Sequence, residues 1–255
     1  MDSTIAPVNS PLSPSDYPSL PPGAGPLPPP WGLASVCAAA GVVLASLAGG
    51  VLAGQTGVLG RLWINGLALP VGGTGAALLV LGWGRWRELV VRLGFPLRRG
   101  DSVRATLAGI YGGVGAFSVA LPLVLASVWV LRWFGLKPPP PNWLVMLLRD
   151  HPRLDVWISV SVLVLVVAPV AEEILFRVVL VEAFQAAELP AAAALSALVF
   201  GVIHRRPDQL LGLCVLALWL YRLRVRYDSL RPAILAHAVF NVLALAGVLR
   251  QLTQT

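Results

Sequence analysis

Two glutamates and an arginine lie within apolar sequence in this 255-residue chain. An uncharged stretch, residues 156–171, leads directly into Glu172 and Glu173, and Arg177 follows one helical turn later. A charge at the centre of a bilayer costs about 2.5–3.5 kcal/mol on insertion scales, so ionisable side chains at that depth indicate function. With about 3.6 residues per helical turn, Glu173 and Arg177 share a face and can pair, whereas Glu172 lies about 100° away. The spacing predicts one structural carboxylate, Glu173, and one available for chemistry, Glu172.

Pro169 lies just before these acids. Its ring cannot donate the backbone hydrogen bond that Leu165 would accept in a regular helix, and it crowds that carbonyl. We expect a kink there, and kinks in membrane helices often open polar cavities.

Later apolar segments carry polar side chains that could meet the acids. His204 ends the stretch that contains Phe200, and His237 and Asn241 lie four residues apart on one face of the last apolar segment. A polar group buried in lipid needs a partner, so these side chains most economically face a common cavity with Glu172.

The composition is that of a membrane protein. The chain is 57% hydrophobic and 12% charged, with a mean hydropathy of +0.78, whereas soluble domains carry about 25% charged residues. The net charge of +7 comes mostly from arginines at the ends of apolar segments. Such placement indicates contact with lipid headgroups and excludes nucleic acid as the expected partner. We therefore expect an integral, multi-pass protein whose partners are the lipid bilayer and a membrane-associated substrate.

The apolar segments predict an all-α fold, a polytopic transmembrane helical bundle of about seven spans. Residues 1–30, rich in proline, are expected to form a disordered tail. Residues 31–154 are expected to hold the N-terminal transmembrane helices, and residues 155–249 the catalytic core. Amphipathic interfacial segments are expected at 85–104 and 143–149. The expected spans are 31–54, 62–83, 104–131, 155–181, 190–204, 209–223 and 232–249.

Charge near the span ends gives a weak orientation signal. Ten Lys and Arg residues lie on the side of the N-terminus and eight on the opposite side. The positive-inside rule then predicts a cytoplasmic N-terminus, and we expect the protein in the plasma (inner) membrane.

The depth of His204 is left open by the sequence. His237 lies about seven residues into its segment, roughly 10 Å from the membrane surface, and a full-length hairpin would place Glu172 deeper than that. The two depths agree if residues 178–187 bend or leave the membrane. His204 would then reach the site through a tilted or a short fifth helix.

Three motifs resemble, in order and spacing, those of the CPBP family, the CAAX proteases and bacteriocin-processing enzymes, also called the Abi family of intramembrane endopeptidases. The resemblance covers about residues 155–249. Within this family, the chain resembles the type II CAAX prenyl endopeptidases. Two positions depart from the pattern: Val178 stands where a glycine usually follows the motif arginine, and residues 205–208 are more basic than usual. Both departures would reshape the mouth of the cavity. The motifs are Glu172-Glu173-x-x-x-Arg177, Phe200-x-x-x-His204 and His237-x-x-x-Asn241.

The resemblance implies hydrolysis of a peptide bond in a membrane-associated, lipidated or CAAX-like protein or peptide. Glu172 would act as a general base on water, and His204 would help to orient that water. His237 and Asn241 would donate hydrogen bonds to the tetrahedral oxyanion. The other motif residues are expected to support these groups: Glu173, Arg177 and Phe200.

A metal-dependent version of the same hydrolysis competes with this mechanism. Glu172, His204 and His237 form a set of one carboxylate and two histidines of the kind that zinc hydrolases use. The helical His-Glu-x-x-His signature is absent from the sequence. We favour a mechanism without a cofactor and keep zinc as the alternative.

Other functional classes are also open at this stage. A membrane cavity with Glu, Arg and His could be a proton relay in a transporter, although the inverted repeats that would favour a transporter are not visible. A non-catalytic immunity or scaffold protein would tolerate the loss of Glu172. The sequence does not distinguish between three substrate classes: prenylated CAAX proteins, peptide leaders and membrane-protein termini.

Overall fold

The computed structural model describes residues 31–53, 56–82, 102–137 and 143–253. The proline-rich tail expected at 1–30 lies outside these ranges, as does the interfacial segment expected at 85–104, apart from its last three residues. The described ranges contain helices and no strands. The predicted all-α polytopic bundle is confirmed.

Eight helices follow one another in the described ranges: α1 (Trp31–Ala53), α2 (Val58–Leu81), α3 (Ser102–Trp133), α4 (Trp143–Asp150), α5 (Leu154–Ala186), α6 (Ala192–Ile203), α7 (Leu210–Tyr227) and α8 (Arg231–Thr253). Five of them are long and apolar enough to cross a membrane, namely α1, α2, α3, α5 and α8. The segments expected at 190–204 and 209–223 form the shorter α6 and α7. Five of the described helices therefore meet the length and hydropathy of a membrane span, whereas about seven spans were expected.

The order of contacts fixes the direction of the helices. Trp63 of α2 donates from its indole to Ser159 of α5 (3.1 Å), and Thr74 of α2 donates to the Ala171 carbonyl of α5 (3.1 Å). The two helices therefore run parallel, and both begin at the end of the bundle where α4 lies. Helix α8 finishes at that same end, because Val248 packs in one apolar cluster with the α4 residues. We call this end of the bundle the α4 end.

Helix α4 matches the interfacial segment expected at 143–149. Its Leu144, Val145 and Leu148 are buried, whereas Met146 and Arg149 are exposed. The buried face packs on the first turns of α5 and on α2. This amphipathic helix therefore covers the inner helices at the α4 end.

Glycines of α3 allow α8 to approach closely. A Cβ atom on Gly113 would lie 2.5 Å from the Ala236 carbonyl oxygen and 2.6 Å from the Val239 Cβ. These contacts flank His237, so the small residues of α3 fix the position of one motif histidine.

We predict that Gly113→Ala destabilises the protein by about 1–3 kcal/mol, because the new methyl group meets backbone atoms that cannot move aside cheaply. The measurement is thermal unfolding in detergent. Gly247→Ala on α8 is the matched control, since a Cβ there meets nothing within 4 Å. A Gly113→Ala protein as stable as the control would contradict the close packing of α3 on α8.

Candidate active site

Helix α5 is irregular on both sides of the acids. Leu163–Val167 and Leu175–Val179 are π-helical, and the α-helical segment Ala168–Ile174 between them carries both glutamates. Such widened turns occur frequently at functional sites. Sequence analysis predicts a kink at Pro169, and the π-helical turn Leu163–Val167 lies directly before this residue.

The widening leaves a backbone carbonyl without its helical partner. The Ala168 amide donates to the Leu163 carbonyl, five residues back, so the next carbonyl in this register, that of Val164, would pair with Pro169. Proline has no amide hydrogen. The side chain of Asn241 on α8 donates to the Val164 carbonyl instead, at 2.8 Å. This bond fixes one amide hydrogen of Asn241 and leaves the other available to a further acceptor.

Glu173 forms a buried ion pair with Arg177. The Glu173 Oε2 and Arg177 Nε atoms are 3.2 Å apart, and the two side chains are 0% and 1% exposed. Among the described residues neither atom has an aligned hydrogen-bond partner, so the attraction is chiefly Coulombic. The Arg177 guanidinium carbon also lies 4.8 Å from the Phe200 ring centroid, which adds a cation–π contact.

His237 of α8 lies between the two acids. Its Nδ1 is 3.0 Å from Glu173 Oε1, and its Nε2 is 3.7 Å from Glu172 Oε2. The carboxylate of Glu173 accepts the hydrogen bond from Nδ1. Sequence analysis did not anticipate this contact, because the helical phase of α5 sorts the two acids but does not show which of them α8 approaches.

His204 is oriented by its own helix. Its Nδ1 lies 2.7 Å from the Phe200 carbonyl, and because a carbonyl only accepts, Nδ1 carries the hydrogen. In the neutral ring Nε2 is then an acceptor. The Phe200 ring is fully buried and lies 4.7 Å from the His204 ring and 6.0 Å from the His237 ring, centroid to centroid. The Phe200 ring thus packs against both histidines.

The position of His204 follows from the length of α6. This helix has 12 residues and a length of about 18 Å, well short of a bilayer core of about 30 Å. Helix α6 corresponds to the fifth expected span, 190–204. A short helix at this position is one of the two arrangements that sequence analysis left open. In the basic segment that follows His204, Arg206 forms a double contact with Asp208, at 2.7 and 3.0 Å, so much of the added charge is paired.

A cavity of about 620 Å³ contains the four candidate catalytic side chains. It extends from the acids toward the α4 end, between α3, α4, α5, α6, α7 and α8. Glu172 lines this cavity with 13% of its side chain exposed, whereas Glu173 is fully buried. The four side chains that face the cavity are Glu172, His204, His237 and Asn241.

The residues proposed for zinc form a looser set. Glu172 and His237 are in contact, but within the described ranges no three His, Cys, Asp or Glu side chains are grouped as metal ligands. His204 lines the same cavity and is bonded to its own helix. In the described ranges these three side chains are therefore not grouped as a zinc site.

Residues 154–243 match the family model described as type II CAAX prenyl endopeptidase Rce1-like. This segment is similar to the CAAX proteases. The matched segment holds every motif residue discussed above and runs from the start of α5 into α8. No curated protein and no solved structure matches the chain significantly.

The similarity to this family model indicates a membrane endopeptidase in general terms. Together with the five apolar helices, it also identifies an integral membrane protein. The cytoplasmic N-terminus and the plasma membrane location stay predictions.

Proposed function

We propose that the protein hydrolyses a peptide bond near the C-terminus of a membrane-associated, prenylated CAAX-like protein, using water that Glu172 activates. The observation that carries this proposal is the division between the two acids. Glu172 faces the cavity, whereas Glu173 is sealed against Arg177 and His237. A general base must reach the proton it removes, and Glu172 has that access.

In the proposed reaction, Glu172 takes a proton from a water molecule while the oxygen attacks the carbonyl carbon of the substrate. His204 accepts a hydrogen bond from the same water at Nε2 and so orients it. The tetrahedral intermediate then collapses, and the proton held by Glu172 passes to the nitrogen of the departing peptide. The reaction consumes one water and needs no covalent intermediate.

The oxyanion of the intermediate is assigned to Asn241 and His237. Asn241 is held by its bond to the Val164 carbonyl, so its second amide hydrogen has a fixed direction. Donors fixed in advance stabilise developing charge without reorganisation. His237 would donate to the oxyanion from Nε2, with its Nδ1 held by Glu173.

The first test is cleavage of a prenylated, internally quenched peptide by the purified protein in liposomes. We expect cleavage at a single bond, and slower cleavage of the same peptide without the prenyl group. A folded protein that cleaves neither peptide would overturn the proposed function. Equal rates for both peptides would retain the protease and reject the prenyl group as a determinant.

A chelator separates the glutamate mechanism from the zinc alternative. We expect 1,10-phenanthroline to leave the cleavage rate unchanged within about twofold, because water activation by a carboxylate alone needs no metal. Elemental analysis of the same sample should find far less than one zinc per chain. A soluble zinc protease in the same liposomes is the control, and loss of activity that added zinc restores would contradict the expectation.

A further inference from the structure

A second cavity also reaches Glu172. It has a volume of about 640 Å³ and lies between α2, α4 and α5, on the other side of α4 from the first cavity. Its walls are mostly apolar, with Leu62, Leu69 and Leu163 among them. We call it the Arg61 cavity after the charged residue of α2 that lines it.

The two cavities share one stripe of α5. Val164, Ala168 and Glu172, each four residues from the next, line both of them. Helix α4 lies over the junction, with Leu144 and Val145 toward the catalytic cavity and Leu147 toward the Arg61 cavity. The candidate general base is therefore at the point where two separate spaces meet.

The Arg61 cavity has a cation at the end away from Glu172. Arg61 is exposed and, among the residues that the structure describes, has no ion pair. It lies thirteen residues before Thr74, which bonds to the Ala171 carbonyl beside Glu172. That separation along a helix is at most about 20 Å, and three to five extended residues span about 10–18 Å.

We propose that the Arg61 cavity binds the C-terminal segment of the substrate, with the terminal carboxylate at Arg61 and the scissile bond at Glu172. This inference rests on the proposed function. An endopeptidase must hold the chain on both sides of the bond that it cleaves, and two cavities that meet at the base provide both sides. Only the C-terminal side ends in an anion, which complements Arg61.

The test compares two peptides that differ only at the C-terminus, one a free carboxylate and the other an amide. We expect the wild-type protein to cleave the carboxylate peptide about tenfold more efficiently in kcat/KM, which is the effect of one good charge-assisted contact. Arg61→Gln should remove this preference while still cleaving the amide peptide. Arg132→Gln is the matched control, since Arg132 is also an exposed arginine and lines neither cavity.

Each other outcome has a distinct meaning. A carboxylate preference that survives in Arg61→Gln, or an absent preference in the wild type, would overturn the inference while leaving the protease intact. An anionic lipid at Arg61 would instead make Arg61→Gln slow both peptides equally, and only in liposomes that contain phosphatidylglycerol; this too would overturn it. Failure of the wild type to cleave either peptide would reject the proposed function itself.

Discussion

Glu172→Gln is expected to lower the rate of peptide cleavage by roughly 10²–10⁴-fold while leaving the protein folded. Glutamine keeps the size and shape of the side chain but cannot take a proton from water. Glu172 faces the cavity, and its Oε2 lies 3.7 Å from the Nε2 atom of His237. The measurement is the cleavage rate of the quenched peptide in liposomes, with thermal unfolding in detergent as the check on folding.

Two further glutamates on the same helix provide a control and a comparison for this variant. Glu182→Gln is the matched control and should behave as wild type, because Glu182 lines neither of the two cavities around Glu172. Glu173→Gln should lose part of the activity, since its charge holds His237 and Arg177. An inactive Glu173→Gln beside a mildly affected Glu172→Gln would show that the general base has been assigned to the wrong acid.

Arg177→Ala is expected to lower the free energy of unfolding by about 3–5 kcal/mol, the usual cost of leaving one partner of a buried ion pair uncompensated. The pair is at 3.2 Å with almost no exposure, so neither water nor salt can replace the guanidinium. The loss of the contact with the Phe200 ring adds to the effect. Thermal unfolding and the monodisperse yield in detergent report the result.

An exposed ion pair at the start of the same helix provides the comparison. Arg153 contacts Asp155 with both side chains largely in solvent, so Arg153→Ala should change the unfolding temperature little. The double variant Glu173→Gln with Arg177→Met should regain part of the lost stability, because it leaves no unpaired charge. An Arg177→Ala protein as stable as Arg153→Ala would contradict the structural role of the buried pair.

The sequence predicted the fold class and the similarity to the CAAX proteases because both depend on local signals. The apolar segments specify helices, and the phase of α5 separates an acid that faces Arg177 from one that does not. The short α6 was one of the arrangements left open by arithmetic on helix length. The number of spans was harder to predict from the sequence. Helix α6 is apolar but too short for a full span, and α7 carries too many charged residues.

The finer contacts of the site arise between helices and could not be predicted. No local pattern indicates that His237 meets Glu173, or that Asn241 bonds to the Val164 carbonyl. The second contact had a partial signal in Pro169, because a proline in a helix always leaves one carbonyl without its partner. The Arg61 cavity depends on how α2, α4 and α5 pack, and no motif in the sequence marks it.

The measurement that tests the central claim most directly is mass analysis of the products formed by purified protein from one prenylated peptide in liposomes. We predict two fragments from the wild-type protein whose masses add up to the peptide plus one water, and intact peptide from Glu172→Gln. Intact peptide from folded wild-type protein, or the same two fragments from Glu172→Gln, would contradict hydrolysis by water that Glu172 activates.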